Sequence, residues 1–169
     1  PLVIRNTFHP ERSGTRVANN TPAGNSAVRG IASIRDVALM RIEGHGILGV
    51  PGVARRLFEA LGRENVNVAL ITQGSSEHSI CFAVSPNDIA RARKTVEKEF
   101  VFERQGESID PLVVEQNLSV IAVVGAAMRG RPGIAGRVFS ILGSKGVNVR
   151  AIAQGSSELN ISLVISRDD

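Results

Sequence analysis

Tryptophan and tyrosine are absent from this 169-residue chain, and six phenylalanines are its only aromatic residues. A nucleic-acid site needs stacking platforms along a concentrated basic face, so the shortage argues against polynucleotide binding despite a net charge of +4. The basic residues are also dispersed: Arg91, Arg93 and Lys94 alternate with Glu97 and Glu99, as on a solvated helix face. One cysteine, Cys81, permits no internal disulfide; set in an apolar run, it reads as a small buried hydrophobe of an intracellular, cytoplasmic protein. With it stand only three scattered histidines, His9, His45 and His78, which offer no metal-binding spacing. No apolar run is long enough for a membrane helix, and no signal-peptide pattern is present. Ser75 and Ser76 lack an oriented base, because Glu77 and His78 fall on alternating strand faces, so no catalytic residue is assigned.

What the chain does contain is a repeat. Gln73-Gly-Ser-Ser-Glu77 recurs as Gln154-Gly-Ser-Ser-Glu158, 81 positions later. The same offset carries Gly44 to Gly125, Gly49 to Gly130, Pro51-Gly52 to Pro132-Gly133, Phe58 to Phe139 and Val66-Asn67-Val68 to Val147-Asn148-Val149. A period this long exceeds the roughly 20–50 residues of solenoid repeats and implies two copies of a small domain. Copies of this size bury little core alone and are expected to pack on each other or on a second chain.

Periodicity gives the first copy a strand over 37–43, a Gly-rich loop to Gly52, a helix over 53–61 ended by Gly62, strands over 66–72 and 78–84 joined by a turn, and a helix from Pro86 to about Glu99. Phe100 to Gln105 is expected to close the sheet as a last strand, completing the β-α-β-β-α-β order of ferredoxin-like domains. The fold class is therefore α+β. The second copy repeats β-α-β-β from Leu118 to Ser166, and the sequence stops at Asp169 where a second helix and last strand are expected, as in an excised piece. Before the first copy lie a strand-like run and turn, and a Gly/Asn/Ala/Ser-rich stretch from Asn19 to Gly30 that reads as a linker.

Gly44-x-Gly46-x-x-Gly49 is formally a dinucleotide fingerprint, but no acid ends the next strand and the following hairpin is not a Rossmann crossover. The second copy loses the middle glycine at Ala127. A loop low in side-chain bulk before a helix N-terminus still suits a carboxylate, and Gln73 on the neighbouring strand could meet an ammonium. The plainer alternative is that the glycines close turns and the glutamines cap strand ends.

The segments GVPGVARRLFEALGRENVNVALITQGSSEHSICFAV and GRPGIAGRVFSILGSKGVNVRAIAQGSSELNISLVI resemble the tandem ACT domains of aspartate kinase, and IRNTFHPERSGTRV resembles the segment leaving that enzyme's kinase domain. The resemblance implies two ACT domains packed side by side. Residues 1–36 would be the strand and linker leaving the kinase domain, 37–106 the first ACT domain, 107–117 a linker, and 118–169 a second ACT domain, incomplete at its C-terminus and completed by the N-terminal segment. It further implies a regulatory, amino-acid-sensing region that forms a homodimer through its ACT domains and joins a kinase domain, in a parent enzyme that is either monofunctional or fused to homoserine dehydrogenase. That kinase domain, with its ATP and Mg, is absent here; this chain is expected to need no cofactor and to phosphorylate nothing alone.

Effector contacts implied by the resemblance are Gly49, Gly52, Asn67, Val68, Ile71 and Gln73 in the first copy and Gly130, Gly133, Asn148, Val149, Ile152 and Gln154 in the second. The Ile-x-Gln pattern followed by Ser-Ser-Glu is similar to threonine-sensitive members. Lysine-sensitive members tend to carry an acid in the strand where this chain has Ala69, and a buried lysine ammonium without a carboxylate is costly. Threonine is thus the expected effector and lysine the alternative. Arg150 replaces Ala69 in the second copy, with Arg129 and Arg131 nearby, so the first copy is expected to bind more tightly. An RNA-binding module shares the element order, but its sheet needs exposed aromatics that these strands lack.

Overall fold

The computed structural model describes residues 2–17, 26–74 and 78–169. Its body is one antiparallel six-stranded sheet of order β4-β5-β3-β6-β8-β7. The strands are β3 (Gly30–Glu43), β4 (Val68–Gln73), β5 (Ser79–Val84), β6 (Val113–Val124), β7 (Val149–Ala153) and β8 (Asn160–Ser166). Helices α1 (Val53–Arg63), α2 (Ile89–Glu99) and the short α3 (Val101–Gln105) belong to the first copy, and α4 (Ile134–Ser144) to the second. Outside this body, β1 (Leu2–Ile4) and β2 (Thr15–Val17) form a separate exposed hairpin.

The 81-residue offset holds in the backbone as well as in the letters. Gly49 and Gly130 both have φ of 64°, Gly52 and Gly133 have 88° and 85°, and Asp36 and Asn117 have 57° and 59°. Helix α1 starts after the left-handed Gly52, and the turn beyond it places Asn65 at φ 53°. Gly62 therefore lies inside the helix rather than ending it; the chain reverses at Asn65, whose counterpart is Gly146 at φ 75°.

Two long strands interleave the copies. In β3, Ala38 to Glu43 pairs with β5, while Gly30 to Ile34 pairs with Val120 to Val124 of β6. In β6, Leu118 to Val124 pairs with β8, while Val113 to Glu115 pairs with Leu39 to Arg41 of β3. Each strand thus begins its own copy with its later half and closes the other copy with its earlier half. The register shifts between Ile34 and Leu39, and the left-handed Asp36 and Asn117 stand at this change of partner. Asp36 is held there by Arg167, 2.6 Å away, and Asn117 accepts a hydrogen bond from the Arg167 backbone N–H.

This arrangement corrects two expectations. The strand of the first copy reaches back to Gly30, and that extension is what completes the second sheet. Phe100 to Gln105 is not the closing strand: Phe100 is fully buried, Val101–Gln105 is helix α3, and Val113 to Glu115 closes the sheet instead. Arg56 of α1 locks this region, bonding Glu99 at 2.9 Å and Glu103 at 2.5 Å while its guanidinium stacks 4.8 Å above the Phe100 ring.

The sheet has two apolar faces. Alternate residues Ala38, Met40, Ile42, Ile80, Phe82 and Val84 pack under α1 and α2 with Leu57, Leu61, Val96 and Phe100. On the other face Val37, Leu39, Leu70 and Ala83 of the first copy meet Leu118, Val120, Ala151 and Val164 of the second. The sheet therefore curls with its helix-free face inward, and its edge strands β4 and β7 come into contact. A third, smaller core joins Met128, Ile161 and Leu163 with partly buried residues of α4 and with Ala27 and Val28.

Candidate functional site

Contact between β4 and β7 brings the repeated Ile-x-Gln segments together. Ile71, Thr72 and Gln73 from β4 line an open cleft of about 530 Å³ with Ile152, Ala153, Gln154 and Gly155 from the end of β7. Its remaining walls are Asn160 and Ser162 of β8. A volume of this order lies within the range of small-molecule sites. Gln73 and Gln154 are exposed, and Ile71 and Ile152 keep 48% and 45% of their surface, so apolar area stands ready to be covered.

The lining is chemically simple. Two carboxamides, a threonine and a serine hydroxyl and Asn160 provide donors and acceptors, and the two isoleucines provide apolar contact. Among the described residues, no carboxylate or basic group lines the cleft. These described side chains can hydrogen-bond a zwitterion and a hydroxyl, and none of them carries a fixed charge. Asn160, Ser162 and Thr72 were not legible as site residues from the sequence. Their signal is a polar break on the strand face that Val164 and Ala83 otherwise keep apolar.

The glycine loops do not line this cleft. The pairing makes β3 parallel to β4, so the loop from Gly44 leaves the same end of the sheet as Gln73. Gly44 and Gly46 are used by the chain itself. A Cβ on Gly44 would fall 2.5 Å from the Ser108 carbonyl oxygen, and one on Gly46 would fall 2.8 Å from the Ser108 side chain. The Gly46 N–H donates to that Ser108 carbonyl at 2.7 Å. Gly125 does the same in the second copy, where a Cβ would lie 2.0 Å from the Ala27 carbonyl oxygen. The fingerprint-like spacing thus serves close backbone packing. Gly49, Gly52, Gly130 and Gly133 have open space where a Cβ would point; their need for glycine is conformational, each lying at positive φ. In the second copy the Gly130 N–H donates to the Glu158 carboxylate at 2.6 Å.

Among the other residues of the expected set, Val68 and Val149 pack against the cores, and Asn67 and Asn148 are exposed just before their strands. Arg150, expected on the rim of the second site, lies 3.8 Å from Glu115 and is directed to that ion pair. Ser75, Ser76 and Glu77 lie outside the described residues. The His78 carbonyl accepts a hydrogen bond from the Gly44 N–H, a structural use. Burial raises the Cys81 thiol pKa above its ordinary value. Among the described residues, no group of three His, Cys, Asp or Glu could hold a metal, and no helix is long and apolar enough to cross a membrane.

Comparison with known proteins agrees with this geometry. The ACT-domain model matches residues 40–100 and 121–169. The chain is 38% identical to a chloroplastic bifunctional aspartokinase/homoserine dehydrogenase of Daucus carota, covering 100% of this chain and 19% of that protein. It is also 38% identical to the bifunctional aspartokinase/homoserine dehydrogenase of Haemophilus influenzae, covering 99% of this chain and 21% of the other. The chain thus spans about a fifth of the length of these relatives. Its fold superimposes on the ligand-free regulatory subunit of aspartate kinase from Thermus thermophilus with a TM-score of 0.70 and 25% identity, covering 85% of this chain and 91% of that subunit. With a match in each copy and both copies built on one interleaved sheet, this chain belongs to the ACT-domain family as a tandem pair.

Proposed function

We propose that the chain is the amino-acid-sensing regulatory region of an aspartate kinase, and that threonine is the effector through which it inhibits aspartate phosphorylation. The observation that carries this reading is the meeting of Ile71, Gln73, Ile152 and Gln154 in one cleft. These are the residues that the repeat duplicates and that the resemblance to threonine-sensitive aspartokinases marks. Among the described residues the cleft is lined by no carboxylate and the β4 strand carries Ala69 rather than an acid, which favours threonine over lysine, because a lysine ammonium seated against these residues would lose water without gaining a counter-charge. The relatives are bifunctional enzymes by name, so a homoserine dehydrogenase portion in the parent protein is part of the same proposal.

The chain itself would neither bind ATP and Mg nor transfer phosphate; those belong to a kinase portion of the parent enzyme working in an aqueous compartment such as the cytoplasm. We assign it at least a homodimer, since Ile71, Ile141 and Ile152 each keep close to half of their surface exposed. An RNA-binding role is disfavoured, because the helix-free face of the sheet is spent on an internal apolar core. Calorimetry against threonine, lysine and methionine tests the reading. Threonine should bind most tightly, without added cofactor; tighter binding of lysine would refute the effector assignment.

A further inference from the structure

Helices α1 and α2 flank a second groove, of about 630 Å³, which shares no residue with the cleft between β4 and β7. Arg63 and Glu64 line it from the end of α1, and Arg91, Lys94 and Lys98 line it from one stripe of α2. Its uncharged lining residues, Ala60, Ala90 and Thr95, are all small. In sequence the bases of α2 alternate with acids, as on a neutralised face, but the fold separates them. Glu97 turns to Arg93 and Arg104, at 3.6 and 3.8 Å, and Glu99, although it borders the groove, is held at 2.9 Å by Arg56. Arg63 is paired with Glu59, and Arg91 with Asp88 and the Asn65 carbonyl. Lys94 and Lys98 are left with no ion pair or hydrogen bond among the described residues, one helical turn apart and both exposed. Like charges at this spacing repel each other, and Glu64 is the one lining carboxylate not already engaged.

We propose that this groove docks an acidic segment of a partner protein, with carboxylates recurring about every 6 Å so that successive ones meet Lys94 and Lys98. That rise, four residues of helix, is close to two residues of extended chain, whose alternate side chains share a face. Charge complementarity selects this occupant. A second copy of the chain carries a net charge of +4 and would add repulsion. No aromatic side chain lines the groove to stack a nucleic-acid base. A compact anion would meet exposed lysines through salt-screened contacts alone, whereas a segment gathers several such contacts along the groove. Docking here is independent of what the cleft binds.

The test titrates the full chain at low salt with an end-blocked peptide of about eight residues, alternating glutamate and alanine and too short to hold a helix. The backbone amide resonances of Ala60 and Thr95 report the groove. They should shift with saturation, and the peptide should bind roughly 2- to 30-fold more weakly to the Lys94→Gln/Lys98→Gln double variant, as expected for the loss of two exposed ion pairs. The control Arg12→Gln/Lys145→Gln removes the same net charge outside the groove and should weaken binding by less than about 2-fold. All four side chains are exposed, so neither double change opens the core. Absence of a saturable shift at Ala60 and Thr95, or equal weakening in the two double variants, would overturn the proposal. A single-stranded RNA of similar length that displaced the peptide from the same resonances at lower concentration would assign the groove to nucleic acid and overturn it as well.

Discussion

Leu57 and Val138 occupy the same position of two helices in the repeat, yet Leu57 has no exposed surface and Val138 is only partly buried. The contrast extends along the helices: Val53, Leu57, Ala60 and Leu61 are all buried in α1, whereas α4 has no buried residue. Helix α1 is covered by α2, which inserts Ala92 and Val96, and by Phe100 beyond it. Among the described residues, no second helix lies over α4 in the same way; its apolar side is met by Ala27 and Val28. A duplicated sequence has therefore reproduced a backbone without reproducing its energetics. Turn glycines and strand alternation act locally and survive duplication, while burial depends on what lies opposite.

The largest expected effect comes from breaking this contrast at its centre. Leu57→Ala removes a fully buried side chain and should destabilise the chain by about 2–5 kcal/mol, whereas Val138→Ala, at a site already open to water, should cost about 1 kcal/mol or less. Urea unfolding of the two variants measures the difference. Next come the paired glutamines. Loss of an amide that bonds a charged group costs about 1.5–3 kcal/mol, so Gln73→Ala should weaken threonine binding roughly 10- to 150-fold. Gln154 lines the same cleft, so Gln154→Ala should weaken threonine binding as well. In the parent kinase both changes should relieve inhibition with little effect on uninhibited turnover, which activity assays at rising threonine can read.

Arg56 sharpens the comparison electrostatically. Its counterpart Arg137 makes no ion pair among the described residues, while Arg56 holds Glu99 and Glu103. Allowing for partial solvent screening, Arg56→Ala should cost about 1–2 kcal/mol and Arg137→Ala a few tenths. The hydrogen bond from Arg56 lowers the Glu103 pKa below its ordinary value. A group whose folded-state pKa is depressed contributes its full stability above the unfolded-state pKa and loses it as pH falls through the folded-state value. Part of the acid destabilisation of the wild-type chain should therefore vanish in Arg56→Ala, as unfolding midpoints at neutral and acidic pH would reveal. A modest effect is expected at the crossover, where Asn117→Ala keeps a Cβ at φ 59° but removes the polar side chain that makes this conformation tolerable, and should cost about 1 kcal/mol in thermal denaturation.

The sequence was a good guide to whatever is locally encoded. The repeat, the helices at α1, α2 and α4, the hairpins and the Ile-x-Gln segments were all readable from periodicity and turn residues. The interleaving was not. Gly30 to Ile34 and Val113 to Glu115 find their partners far away in the chain, and the small and polar residues around Asp36 and Asn117 resemble linkers because they change register and neighbour there. FVFERQ carries β-forming residues and still turns helical, since Phe100 is drawn into the core and Glu103 is held by Arg56. The cleft was legible only by half. Its Ile and Gln residues stand out by repetition, but their meeting depends on the curl of the sheet, which no short stretch of sequence encodes.

The central claim is that the repeated glutamines face one cleft in order to hold an amino acid. Side-chain amide resonances of Gln73 and Gln154, followed by NMR during threonine titration, test it most directly. The account predicts that both amides shift with saturation over the same range of threonine concentration, and that lysine at the same concentrations moves them far less. Saturable threonine binding that leaves both amides unmoved, or a stronger response to lysine, would contradict it.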